Sequence, residues 1–416
     1  MKLILHYLLS LVALMLPLTV SAYDFMKDGI AYSINTDGIS VTVISGSTLK
    51  SGSLSIPESV TNNGISYSVT TIGEKAFYYY GFTGSLTIPN TVTTINKEAF
   101  YGCSGFTGSL IIPNSVTTIS EKAFYGCSGF TGSLTISNSV TTIGDYAFCY
   151  CRGFTGSLTI PNSVTTIGIC AFLGCNGFTG SLNIPNSVTT IDISAFSDCI
   201  GFTGSLTIPN SVTTIGNSAF SGCSGFNGSL TIPNSVTVIN GNAFCGCTGL
   251  TSVSIPNTVT TINKEAFYGC IALTKVILPN SVTTIGNSAF GGCNHLNALV
   301  IGENVASIGD GAFAAPALTD VVMLRPRPIV IPSSTFEGVS MVGCDLHVKV
   351  GSKARYELQD VWKDFMFIFE DADEFAEQLG ANSSGESGSG IKGDLTGDKK
   401  VDIEDVNAVI NIILSN

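Results

Sequence analysis

The amino-acid sequence predicts an α/β repeat solenoid. Coils of short β-strands and helical turns stack between an N-terminal and a C-terminal cap, and a small loop-and-helix tail follows. Three observations carry this. The dipeptide Ala-Phe recurs with its Phe at 77, 100, 124, 148, 172, 196, 220, 244, 267, 290 and 313, and Phe336 follows in a Thr-Phe variant. Self-similarity at a period of this length marks stacked coils. The apolar residues between these points come in short runs that alternate as strands do. Charged residues are only 12% of the 416, while glycine fills 46 positions, so the surface is built from Thr, Ser, Asn and Gly.

Composition removes several classes of protein. With 18 Lys+Arg against 30 Asp+Glu the formal charge is −12, and a chain so poor in cations cannot neutralise a row of phosphates. Hydrophobic content of 44% is enough to bury a core, which argues against disorder. Mean hydropathy is positive, yet past the N-terminus no apolar run approaches the ~20 residues of a spanning helix.

Taken in chain order, residues 1–22 carry Lys2, an apolar stretch to Pro17, then small residues ending at Val20, Ser21 and Ala22. That order predicts a secretory signal cut after Ala22. Residues 23–50 form an N-terminal β cap with turns at Asp28-Gly29 and Asp37-Gly38, and 51–340 form the solenoid. Residues 341–380 form a C-terminal cap, 381–390 a Ser/Gly linker, and 391–416 a separate module. Charge is unequal along the chain. From Glu357 onward there are 14 acidic and 4 basic residues, against 16 and 14 before it.

Within one unit, 202–225, Leu206 and Ile208 alternate as a strand, and Pro209-Asn210 signals a turn. Residues Val212, Thr213, Thr214 and Ile215 offer a second strand, and Ala219-Phe220 sits in a tight helical turn before Gly222-Cys223. One unit is apolar on one side only and cannot fold alone, whereas about twelve stacked units bury continuous ladders. The spacing is 23 residues once, then 24 through the middle and 23 afterwards, where GLTSVSIP replaces GFTGSLTIP. The Thr pairs, such as Thr93/Thr94 and Thr117/Thr118, are strand residues on an uncharged surface.

Residues 158–175 and 206–223 match the signature L-x-I-P-x-S-V-x-x-I-G-x-x-A-F-x-G-C. This pattern resembles the BspA-like leucine-rich repeat family over roughly residues 50–340. The flanks resemble that family too: 23–44 its opening cap, and 346–369, with Tyr356, Trp362 and Phe365, its closing cap. The resemblance implies an adhesin-like surface or secreted protein that holds a protein or glycan ligand on a host, a matrix or another microbe.

Thirteen cysteines in an exported chain invite a disulfide framework. Nine, however, lie three residues after the repeat Phe: Cys103, Cys127, Cys151, Cys175, Cys199, Cys223, Cys247, Cys270 and Cys293. One identical position per coil predicts a buried ladder of free thiols. Cys149, Cys170, Cys245 and Cys344 stand outside it and are the expected reactive or paired ones. A metal stripe is disfavoured, since His295 and His347 are 52 positions apart.

No Gly-x-Ser-x-Gly elbow, His-Glu-x-x-His pair or phosphate loop is present, so the expectation is a non-catalytic protein. A binding surface is expected where Tyr78, Tyr101 and Tyr125 directly follow the repeat Phe, which stacks them on successive coils as an aromatic stripe. The tail has oxygen donors at calcium-loop spacing: Asp394, Thr396, Asp398, Asp402 and Asp405, with the Lys400 carbonyl between them. Val406, Val409, Ile410, Ile413 and Leu414 then follow at helical spacing, giving a calcium-loop/helix tail. The segment resembles one half of a type I dockerin, although Thr396 and Lys399 depart from the pattern and a second loop is missing. That resemblance implies Ca2+ as cofactor and a cohesin-like partner. It also implies an alternative function, as a non-catalytic subunit of an extracellular polysaccharide-degrading assembly. The expected setting is secreted or cell-surface, with no nucleic-acid partner and no transmembrane segment in the mature chain.

Overall fold

Each coil is organised by what its side chains must bury. In the coil that begins at Leu158, the two-residue strand Leu158–Thr159 points Leu158 inward and Thr159 outward. Thr166–Ile167 repeats the pattern with Ile167 inside. Val164, Ala171, Phe172, Cys175 and Phe178 complete the interior, each fully buried. The next coil places the same residues one strand spacing away, so the core is a set of parallel columns. A computed structural model of the chain describes residues 23–49 and 51–381. The expected signal, the greater part of the expected linker and the expected 391–416 module, with all six expected calcium donors, lie outside the described residues.

The described residues form a β-solenoid with very little helix. Its Thr-Ile strands pair in parallel and in register, Thr94 with Thr118, Thr118 with Thr142, and so on to Thr190 with Thr214. The Ala-Phe segment, expected as a helical turn, forms a ladder of another kind. The Phe100 N–H donates to the Ala123 carbonyl of the next coil at 2.8 Å, and Phe124 to Ala147 likewise. The intervening N–H groups close local turns, Ala99 to Asn96 and Cys103 to Phe100. Two residues before the Phe of each Ala-Phe pair the backbone is left-handed even where the residue is Lys, Glu, Tyr or Ser, with φ from 52° to 57° in ten coils. Each such residue costs about 1–2 kcal/mol. Its N–H gains an inter-coil bond, as Glu98 to Glu121 and Lys122 to Asp145.

Two aromatic columns run through the interior. The repeat phenylalanines stack from Phe77 to Phe336, with centroids 5.1 Å apart at Phe100–Phe124 and 5.9 Å at Phe290–Phe313. A second column, Phe82, Phe106, Phe130, Phe154, Phe178, Phe202 and Phe226, exists only in the coils that carry the Phe-x-Gly-Ser-Leu corner. Beside them stands the cysteine ladder. All nine of its thiols are fully buried, and each donates to the Phe carbonyl of the preceding coil, Cys127 to Phe100 at 3.1 Å and Cys151 to Phe124 at 3.0 Å.

Both ends of the columns are closed, as an open coil would expose core and strand edges. At the start, Phe25–Lys27, Ile30–Ile34 and Ser40–Ile44 form an antiparallel meander. Its first turn, Asp28-Gly29, has both φ angles positive, the hairpin geometry that residue pair favours. Ser40–Ile44 then pairs in parallel with Ile65–Ile72 and begins the stack. At the far end, Trp362 and Phe365 meet Phe336 edge-on and terminate the phenylalanine column. Trp362 Nε1 donates to the Ile329 carbonyl at 2.8 Å, and the Tyr356 hydroxyl to that of Arg325 at 2.6 Å. One compact unit extends to Ala372, and Asp373 opens a second. Of the second, residues 373–381 are described, which include all but the first residue of the helix Ala372–Gln378.

Candidate functional site: a tyrosine stripe on the first coils

The residue after each repeat Phe points out of the coil, because the Phe itself points in. Stacking brings Tyr78, Tyr101 and Tyr125 together there. Tyr78 and Tyr101 lie face to face at 4.9 Å, and Tyr101 and Tyr125 at 4.6 Å with ring planes 4° apart. Tyr78 is exposed, while Tyr101 and Tyr125 are half-buried. The column ends at Cys149, then carries Leu173 and Ser197 in the next coils.

Two further tyrosines that sequence spacing alone did not place widen the stripe. Tyr79 meets Tyr78 and Tyr101 edge-on at 4.8 and 5.3 Å, and Tyr150 meets Tyr125 edge-on at 5.7 Å. Both sit in a left-handed position that glycine fills in most coils, φ 57° at Tyr79 and 59° at Tyr150. Each ring lies over the glycine of the next coil. A Cβ on Gly102 would stand 2.5 Å from Tyr79, and one on Gly174 2.7 Å from Tyr150. The readable signal is the pairing of a Tyr at one coil with Gly at the same position of the next.

Charge borders the rings. Lys75 Nζ lies 5.8 Å from the Tyr78 ring, Lys122 Nζ 5.3 Å from Tyr146, and the Arg152 guanidinium 5.2 Å from Tyr150, within reach of cation–π attraction. Glu121 binds Lys97 at 2.8 Å and Lys122 at 2.9 Å. Those hydrogen bonds, that of Lys97 foremost, hold its carboxyl below the ordinary range. Burial, helped by a hydrogen bond with Tyr79, pushes the Tyr101 hydroxyl up to about 12. At neutral pH the stripe therefore presents uncharged rings with hydroxyl groups, edged by fixed cations.

A shallow cleft of about 490 Å³ opens between the strands Leu86–Thr87 and Leu110–Ile111 and reaches Thr135 and Ser137. Its lining is hydroxyls, the Asn90 and Asn114 amides and aliphatic carbons, with no charged side chain. Ser137 stands where neighbouring coils have Pro, and Ile111, 63% exposed, stands where they have Thr or Asn.

Three of the four cysteines outside the ladder depart from expectation. All thirteen thiols are free. Cys149, Cys170 and Cys344 are buried, and burial pushes the Cys149 and Cys344 thiols up to about 12. Cys149 occupies the tyrosine column, yet at that coil the position is covered. Only Cys245 is partly exposed.

Parallel ladders and stacked side-chain columns repeated coil after coil define a leucine-rich-repeat type of solenoid, with an aromatic, cation-edged face on its first coils. Six copies of the BspA-type leucine-rich repeat region match the chain, over residues 70–200, 141–228 and 226–342. The chain belongs to that family. Among solved structures it is similar to a leucine-rich cell surface protein from Faecalibacterium prausnitzii. The two are 27% identical with a TM-score of 0.53, over 80% of this chain and 96% of that one. The pneumococcal vaccine antigen PcpA shares the fold at 20% identity and a TM-score of 0.52, over 83% of this chain and 98% of the antigen. No relative among curated proteins matches. Among the described residues, no helix is long and apolar enough to cross a membrane.

Proposed function

We propose that this is an exported, non-catalytic, adhesin-like protein whose tyrosine stripe holds a protein or glycan ligand on a host surface, a matrix or another microbe. The observation that carries the reading is the continuous stack of Tyr78, Tyr101 and Tyr125. Rings held by their neighbours lose little freedom on binding, and tyrosine offers both an apolar face and a polar tip. The bordering Lys75, Lys122 and Arg152 add attraction for acidic groups on such a ligand. The similarity to a cell surface protein supports the setting. Binding of the full chain to an array of glycans and matrix proteins tests it. Replacing Tyr78, Tyr101 and Tyr125 together by Ala is expected to weaken the strongest interaction by about tenfold or more, with the melting temperature nearly unchanged. An identical array profile for the triple variant would remove the stripe from the reading.

The tail is a second binding element in this proposal. Asp394, Thr396, Asp398, Asp402, Asp405 and the Lys400 carbonyl supply the oxygen donors a Ca2+ ion requires. The ion would serve a docking handle for a cohesin-like partner. Calorimetry of the full chain should show one Ca2+ site that Asp398→Asn with Asp402→Asn abolishes. Unchanged uptake, or none at millimolar calcium, overturns it.

A further inference from the structure

Coil stacking brings together residues that are far apart in sequence near the C-terminal cap. The strands Asp320–Met323 and Asp345–Val348 pair in parallel, with Asp320 opposite Asp345. Strand alternation sends Val321, Met323, Leu346 and Val348 into the core. Asp345 and His347 share the opposite face with Asp320, and one donor atom from each lies within 4.8 Å of the other two.

The imidazole is held in place by its neighbours. The His347 side chain is 5% exposed, its ring stacks on Phe369 at 5.5 Å, and Nδ1 stands 2.8 Å from Asp371 Oδ1. A proton on Nδ1 satisfies that carboxylate and turns the lone pair of Nε2 toward Asp320. Nε2 and Asp320 Oδ1 are 3.4 Å apart, longer than a hydrogen bond of normal length. That spacing is close to the ~3.3 Å edge of a tetrahedron around an ion with ligand bonds of about 2.0–2.1 Å. Thr319 engages the other Asp320 oxygen at 2.6 Å and leaves Oδ1 to face the cluster.

We propose that Asp320, Asp345 and His347 bind a zinc-class divalent cation, with Asp371 as the outer carboxylate that orients the imidazole. One nitrogen and two carboxylates suit zinc, whereas calcium takes six or more oxygens. The carboxylate-to-histidine contact is the usual support of a metal-bound ring. The ion ties the last coil to the strand of the cap. Asp320, 27% exposed, leaves the site open to solvent for entry and for a further ligand. The rival arrangement is an imidazolium shared among the carboxylates, with no metal.

Zinc chloride titrated into the full chain near pH 7.5 separates the two, read by calorimetry and by melting temperature. The wild-type chain should take up one equivalent that Asp345→Asn and His347→Gln lose, and should melt higher with zinc than without it. Asp371→Asn should keep the site with affinity lowered about tenfold. Cobalt(II) should give the visible spectrum of nitrogen and oxygen ligands, without the sulfur charge-transfer bands that any of the thirteen thiols would add. If His347→Gln fails to fold, Asp345→Asn carries the comparison. Zinc uptake and melting shift identical in wild type and Asp345→Asn, or no uptake at all, overturns the proposal. Identical uptake would place any zinc elsewhere, such as on the acidic tail.

Discussion

Between Phe82 and Phe226 each coil turns one corner with five residues, Phe-Thr-Gly-Ser-Leu or its Asn variant at 227, and buries a second phenylalanine there. From Leu250 onward the same corner takes four, as in Leu250 to Val253 and Leu273 to Val276, and buries leucine. The strands respond. In the longer coils from Leu86 to Leu182 the Leu strands are two residues long and pair only in twos, Leu110 with Leu134 and Leu158 with Leu182, and the last longer coil already carries the five-residue strand Asn227–Thr231. In the shorter coils they run for three to six residues and join one seven-stranded sheet. The change falls at a register shift between Gly228 and Ser229. The Thr-Ile ladder is interrupted in the same place, between Ile215 and Val238, where the Asn240 side chain takes the Ile215 carbonyl at 2.8 Å. Yet the phenylalanine column crosses the junction without a gap, 5.7 Å from Phe220 to Phe244, and so does the cysteine ladder. Side-chain columns hold this solenoid in register, and the sheets form where the corners allow.

The corner also decides where glycine is required, which gives the largest test of the comparison. A Cβ on Gly153 would meet the Phe130 carbonyl oxygen at 2.2 Å and that of Ser128 at 2.6 Å. Gly249, stacked on the last longer corner, is still glycine, and the next shorter coils hold Ala272 and His295 at the equivalent position. Gly153→Ala is therefore expected to cost about 3 kcal/mol by backbone displacement, and Ala272→Gly about 0.5–1 kcal/mol by chain entropy. Urea unfolding of the two variants measures both. Equal losses would mean the two kinds of coil approach their neighbours alike.

How much of this is legible from sequence follows from what repeats. Ile95, Ile119 and Ile143, or Phe100, Phe124 and Phe148, recur at fixed spacing and chemistry, so core columns and coil boundaries can be read directly. The 24-to-23 change is visible too, although its effect on the sheets is not. It depends on how two corners share hydrogen bonds across coils. The left-handed turn before Ala-Phe leaves no mark, because Lys75, Glu98 and Tyr146 hold a conformation usually announced by glycine. The Asp320, Asp345 and His347 cluster is hidden for another reason. Its members are 25 and 2 residues apart in a stretch where the repeat has decayed, and only parallel register joins them. Aligning the last coil against the cap strand would have placed the two aspartates side by side.

The cysteines test the junction more gently, since their ladder is common to both regions. Burial raises each ladder thiol above its ordinary value of 9.0, to about 12 at the end residues Cys103 and Cys293 and further between them. A folded-state value above the unfolded one contributes stability that is whole below pH 9 and lost as pH rises toward 12. Melting temperature should accordingly hold from pH 7 to 9 and fall beyond it. At pH 7.5 a thiol reagent should modify Cys245 first, the one partly exposed thiol, situated in the coil where both ladders of strands are interrupted. If columns alone hold the junction closed, Cys247 and Cys270 should then react as slowly as Cys127 and Cys151. Faster reaction at Cys247 and Cys270, read by mass spectrometry of labelled peptides, would show that the interrupted sheets weaken the rod there. Packing would then share control of register with the strands.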